Sequence, residues 1–206
     1  MNYVVALLRL FVAMLALIGT QEIWLHGEVD GLLYFTNQSG FLLAIVLVWG
    51  AVGSIRGKGQ PPAWFKGGVT LFLAITGLVA AFVLAPEAAD APQIFPGLTS
   101  GQIEHQINPA FAVLDFLLFD AHRRMRWRYA AYWFGYLLAY VTFTTIRGTV
   151  FGLDYPYGFI DLGELGWGGF LLNVLMYGVG FYALGLLIIL VDRRMRRRAL
   201  VGGATD

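Results

Sequence analysis

Tyr34-Phe35-Thr36-Asn37-Gln38-Ser39 stands at the mouth of the apolar run Phe41-Leu42-Leu43-Ala44-Ile45-Val46-Leu47-Val48-Trp49, and the low-charge stretch continues to residue 54. About 20 mostly apolar residues rising 1.5 Å each are what a helix needs to cross roughly 30 Å of hydrocarbon. In that solvent an unpaired polar group is costly, so the polar cluster at Thr36 to Ser39 requires partners or water. This stretch sets the expected fold class: all-α, a polytopic membrane protein.

The rest of the chain repeats the pattern. Of 206 residues 58% are hydrophobic and 13% charged, with a mean hydropathy of +0.68. A soluble domain of this size has too little interior for so much apolar side chain. Six segments are long and apolar enough to be read as spans: 3–25, 34–54, 65–85, 103–119, 129–148 and 166–191. Together they predict a bundle of six transmembrane helices forming one domain over residues 1–206. The first segment carries Arg9 within its apolar run and no small-x-small cleavage pattern before Thr20-Gln21-Glu22, which reads as a span rather than a signal peptide.

Charge sorts by connection. Arg56, Lys58 and Lys66 follow the second segment, Arg123, Arg124, Arg126 and Arg128 the fourth, and Arg193, Arg194, Arg196, Arg197 and Arg198 the sixth. The alternate connections carry Glu28 and Asp30, then Glu87, Asp90 and Glu104, then Asp154, Asp161 and Glu164. The positive-inside rule places both termini in the cytoplasm of a cell-membrane protein, in accord with an even number of spans. Basic clusters beside span ends are expected to meet anionic lipid headgroups, and no nucleic-acid partner is implied. Residues 86–102 include Pro86, Pro92, Pro96, Gly97 and Gly101 and read as a structured loop or short re-entrant piece. Gly163, Gly166, Gly168 and Gly169 read as a site of close helix contact.

Cysteine is absent, which excludes thiolate catalysis, disulfides and Cys-ligated metals. His26, His105 and His122 lie too far apart in sequence for a common metal-ligand spacing. No cofactor is implied.

Several polar residues fall at membrane depth. Arg9, roughly 10 Å into the first segment, and Asp115, at comparable depth in the fourth, are expected to form an ion pair. Its simplest role is to fix packing, and the alternative is a conduction path. Charge exchange between the two positions is expected to rescue the single mutants. His105, Asn108, Ala112 and Asp115 follow the spacing of one helical face, which should look into the bundle.

Thr36 and His105 share a shallow depth below the outer interface. One reading makes Thr36 a helix cap and lets His105 bond a loop carbonyl. The other is chemical: a hydroxyl becomes a nucleophile when a neighbouring imidazole takes its proton, and Asn37, Gln38 or Asn108 supplies an amide donor to the developing oxyanion. No Gly-x-Ser-x-Gly motif occurs, so a nucleophile here would belong to another architecture.

Tyr34-Phe35-Thr36 opening the second segment, His105 with Pro109 four residues on, and Tyr155-Pro156 followed by Phe159 and Asp161 resemble the androgen-induced transmembrane family, including its six-span bacterial relatives. The resemblance covers most of the chain in layout, through three short motifs. It implies hydrolysis of fatty acid esters of hydroxy fatty acids, with Thr36 as nucleophile and His105 as its partner. A membrane lipid with a fatty acyl ester would then be the substrate. Asn37-Gln38-Ser39 is closer to the bacterial group than to the animal enzymes.

Tyr155, Pro156 and Asp161 read either as a rigid turn before the last segment or as lining for the outer mouth. Arg147 is expected to pair with Asp154, Asp161 or Glu164; the alternative is that it holds a fatty-acid carboxylate. Outside catalysis, the chain reads as a small-molecule or ion transporter using Arg9, Asp115 and Asn173, or as a non-catalytic membrane scaffold.

Overall fold

The computed structural model describes residues 2–84 and 93–196. Pro86, Glu87, Asp90, Pro92, Arg197 and Arg198 lie outside the described residues. The fold is all-α with one small two-stranded ribbon, and the chain divides into two compact units. Of the described residues, those before Arg126 and those from Val191 on form the first unit, and residues 126–190 form the second.

Helices α1 (Asn2–Gly19), α3 (Phe35–Arg56), α4 (Ala63–Phe82) and α6 (Asn108–Phe119) build the first unit. On α1 the residues Val5, Arg9, Val12 and Ala16 recur at helical spacing and are buried, while Tyr3, Val4, Leu7 and Phe11 point outward and exposed. An outward face this apolar is suited to lipid. The buried faces meet in one core of Val12, Ala13, Ala16, Leu43, Leu47, Val69, Leu73 and Ala112, drawn from all four helices. Among the described residues four helices are long and apolar enough to cross a membrane: α1, α3, α4 and α8 (Leu162–Arg194). The chain is therefore a membrane protein by the length and composition of its helices.

Two elements depart from uninterrupted spans. The first segment breaks at Thr20, after which the short α2 (Gln21–Leu25) and a 3-10 turn at Val29–Leu33 lead into α3. The fourth begins earlier than its hydropathy indicated. After the ribbon of β1 (Gln93–Phe95) and β2 (Leu98–Thr99), helix α5 (Ser100–Gln102) starts with a capping box: Thr99 Oγ1 accepts from the Gln102 backbone, and Gln102 Oε1 accepts from the Thr99 backbone. It continues through a π turn at Ile103–Ile107 into α6. Pro109 explains the π turn, because it has no N–H to offer the carbonyl of His105 and its ring crowds that carbonyl. The Asn108 N–H reaches back to the Ile103 carbonyl instead, one residue further than an α-helix would use.

The second unit contains α7 (Arg128–Phe151) and most of α8. Ile160, Leu162 and Phe170 form its core with Tyr140, Val141, Tyr155 and Tyr157 around them. The glycine cluster does something other than bring helices together. Gly166 adopts φ 62° and ψ 171°, a kink that a side chain would strain, and no neighbour approaches the faces of Gly166 or Gly168.

Candidate functional site

At one end of the first unit α3, α4 and α6 bring together a group of buried polar side chains. Thr36, Ser39, Thr76 and Asn108 are all buried there. Ser39 Oγ lies 2.8 Å from the Thr36 carbonyl and 3.1 Å from Thr76 Oγ1, tying α3 to α4. Phe35 packs edge-on against Phe72, 5.5 Å between centroids, which fixes the same pair of helices from the flank.

Thr36 does not cap α3. The cap position is Tyr34, and Thr36 stands inside the first turn, where its side chain can face inward. Its Oγ1 is 3.4 Å from His105 Nε2, a weak hydrogen bond by length and short enough to tighten into proton transfer. His105 owes its position to the π turn, the extra residue of which re-aims side chains within the turn. Behind it α4 comes very close: a Cβ placed on Gly77 would lie 2.8 Å from Pro109 Cβ and 3.6 Å from the His105 carbonyl oxygen. Gly77 is thus the seat of the Pro109 ring.

The three candidate amides have different surroundings. Asn37 Nδ2 donates to the Gly31 carbonyl at 2.8 Å and Gln38 Nε2 donates to the Leu32 carbonyl at 2.7 Å. Both staple the preceding turn to α3. Asn108 is 1% exposed, and neither its Nδ2 nor its Oδ1 has a hydrogen-bond partner.

Toward the other end of the unit lies an ionic quartet. Arg9 Nε is 2.7 Å from Asp115 Oδ1, and its Nη2 is 3.1 Å from Asp120 Oδ1. Arg9 Nη1 also donates to the Gly50 carbonyl and Ser54 Oγ, each at 3.1 Å. Lys66 Nζ donates to Asp115 Oδ2 and stands 3.8 Å from Asp120 Oδ2. Two cations balance two carboxylates, which is how buried charge is tolerated. Lys66, read from sequence as part of a basic connection, is instead buried on α4 as the second cation of this group. The signal in sequence was its place one residue inside an apolar run.

Beyond α6, Asp192 from the end of α8 accepts from the backbone N–H of Arg124 at 3.1 Å and of Met125 at 2.9 Å, with His122 Nδ1 at 3.6 Å. Sequence gave no reason to single out Asp192. Its carboxylate beside the ring raises the His122 pKa.

Arg147, Tyr155 and Asp161 belong to the second unit, together with Asn173. Arg147 donates to the main-chain carbonyl of Asp154, so the expected carboxylate pair is replaced by a backbone clamp. Tyr155 lays its ring against Gly148. Asp161 Oδ1 accepts from the N–H of Gly163 at 2.7 Å and Glu164 at 3.1 Å and so caps α8. Asn173 Nδ2 donates to the Phe159 carbonyl at 3.0 Å, holding the same turn. These contacts are those of a rigid turn. Among the described residues no group of three or more His, Asp or Glu is arranged to hold a metal ion.

No protein-family model, curated protein or solved structure matches this chain.

Proposed function

We propose that the chain is a membrane-embedded hydrolase of lipid fatty acyl esters, with Thr36 as nucleophile and His105 as general base. The observation that carries this reading is the 3.4 Å approach of Thr36 Oγ1 to His105 Nε2 across two helices, at a cluster of buried polar side chains. The motif resemblance to the androgen-induced transmembrane family, drawn from Tyr34-Phe35-Thr36, His105 with Pro109, and Tyr155-Pro156, agrees with it.

The chemistry runs in two halves. Thr36 Oγ1 attacks the acyl carbonyl carbon while His105 Nε2 takes the hydroxyl proton, forming a tetrahedral oxyanion. That intermediate collapses by breaking the bond to the alkoxy oxygen, and His105 returns the proton to the departing alcohol. Water then attacks the Thr36 acyl ester, again giving its proton to His105, and the fatty acid leaves as Thr36 recovers its hydrogen. A substrate entering from lipid keeps its chain among apolar helices and brings only its ester to the polar mouth.

The proposed topology has six spans with both termini in the cytoplasm. The continuous helical run from residue 100 to 119 is about 30 Å long at 1.5 Å per residue, and α7, with 24 residues, is roughly 36 Å, so each has the length of a span. The chain lacks cysteine, so single cysteines report orientation directly. Lys58→Cys and Arg126→Cys, both at exposed positions, should react with an impermeant maleimide only after permeabilisation. Reaction in intact cells overturns the topology.

The catalytic reading is tested by incubating purified protein with a fluorophosphonate or an activated fatty-acyl ester. Covalent label should map to Thr36 and vanish in Thr36→Ala; a label that persists in that variant rejects the reading.

The transporter reading has less support. The Arg9, Lys66, Asp115 and Asp120 side chains satisfy one another, which is the arrangement of a packing device.

A further inference from the structure

We infer that Asn108 is the oxyanion donor of the site, the residue whose side-chain N–H stabilises the carbonyl oxygen as Thr36 attacks. This rests on the Thr36 and His105 reading and adds a third functional group to it.

Three amides have the chemistry for the role, and their surroundings separate them. Asn37 and Gln38 are anchored by their nitrogens to the carbonyls of Gly31 and Leu32, and both serve the turn before α3. Asn108 is anchored to nothing: Nδ2 and Oδ1 are both buried and both without a partner. Buried polar atoms of folded proteins are nearly always paired, because removal from water without a replacement bond is destabilising. A residue that leaves a donor and an acceptor unpaired at once, three positions from the candidate base, stands where a reacting group would complete it.

Position agrees with this role. Asn108 follows His105 by three residues, directly after the π turn that sets the direction of both side chains, and it faces the interior. His105 in turn reaches Thr36. The oxyanion is the former carbonyl oxygen on the carbon bonded to Thr36 Oγ1, so a donor on the same helical segment as the base is suited to meet it. No proton moves to or from Asn108 in either half-reaction. Its Nδ2–H shortens its bond to the oxygen as negative charge develops, and relaxes as the carbonyl re-forms.

Asn108→Leu tests the assignment, since it removes both amide atoms at similar volume. Where the amide has no structural partner, the variant should unfold at the same Tm as the parent or higher. Its kcat on an activated fatty-acyl ester should fall about 100-fold with KM little changed, the signature of a donor used mainly in the transition state. A second measurement does not depend on the variant folding: isotope-edited infrared of the Thr36 acyl adduct in the parent should show the ester carbonyl shifted to low frequency by hydrogen bonding. If Asn108→Leu hydrolyses ester as the parent does, or if the parent adduct shows an unshifted carbonyl, Asn108 is not the donor, while Thr36-dependent labelling still stands. If hydrolysis or labelling survives Thr36→Ala, the nucleophile reading itself fails and the Asn108 assignment fails with it.

Discussion

Thr36 Oγ1 and His105 Nε2 lie 3.4 Å apart although 69 positions separate them in the chain, and a π turn built by Pro109 holds the histidine there. The turn is packed from behind by Gly77. The geometry of the candidate site therefore rests on residues that never touch a substrate.

A nucleophile and its base act as one unit, so removing either costs nearly as much as removing both. Thr36→Ala, His105→Ala and the double variant should each lose ester hydrolysis by on the order of 1,000-fold or more, to similar floors. Thr36→Ser should retain part of the rate because the hydroxyl remains. Steady-state assays on folded, purified protein give the comparison, and additive losses in the double variant would show that the two residues act separately.

Gly77→Ala places a methyl carbon 2.8 Å from Pro109 Cβ, and a proline ring cannot swing aside. The helices must part locally, at a cost of about 1–3 kcal/mol in stability, with His105 moved away from Thr36. Thermal unfolding in detergent should show a lowered Tm, and acyl-probe labelling should fall further than the stability loss accounts for. Gly180→Ala, which meets no neighbour, serves as the control.

Breaking the ionic quartet should be severe. Asp115→Ala leaves Arg9 and Lys66 buried with Asp120 alone between them, and removal of one member of a buried pair typically costs 3–5 kcal/mol, about the same order here. The exchange Arg9→Asp with Asp115→Arg is not a rescue, contrary to the two-residue expectation, because the new arginine would stand against Lys66. The new aspartate at position 9 would likewise stand against Asp120, which Arg9 now holds at 3.1 Å. Expression level and Tm of the double variant against the two single variants decide this.

Stability of this end of the unit should fall as pH rises. Burial pushes Asp120 up to about 6 from 3.8, with the Asp115 charge adding to it and Lys66, Arg9 and His122 opposing. The folded state thus binds this proton more tightly than the unfolded chain. The stability Asp120 contributes is complete below 3.8 and is lost as pH rises through about 6. The Asp192 carboxylate raises His122 from 6.5, so its contribution is complete below 6.5 and lost as pH rises through the higher folded value. Tm measured across this range should decline, Asp120→Asn should flatten the lower part of the decline, and His122→Gln the upper part. A profile unchanged in both variants would assign the titration to other groups.

The sequence by itself determined that this chain is an all-α membrane protein, because hydropathy over a window of span length depends on composition and needs no knowledge of neighbours. Periodicity also placed His105, Asn108 and Asp115 toward an interior, since helix geometry relates them whatever packs against the helix. Lateral relationships were settled only by tertiary structure. That Thr36 meets His105, that Lys66 joins Arg9 on Asp115, and that Asp192 holds the backbone at Arg124 all depend on the rotation of helices about their axes and on which helices are adjacent. The π turn is an intermediate case: Pro109 lacks the N–H that the His105 carbonyl would take in an α-helix, yet the packing of Gly77 against its ring is seen only in the fold. Asn37 and Asn108 are the same residue type. Only the surrounding fold, which gives one a carbonyl to hold and leaves the other without a partner, separates a staple from a candidate catalytic group.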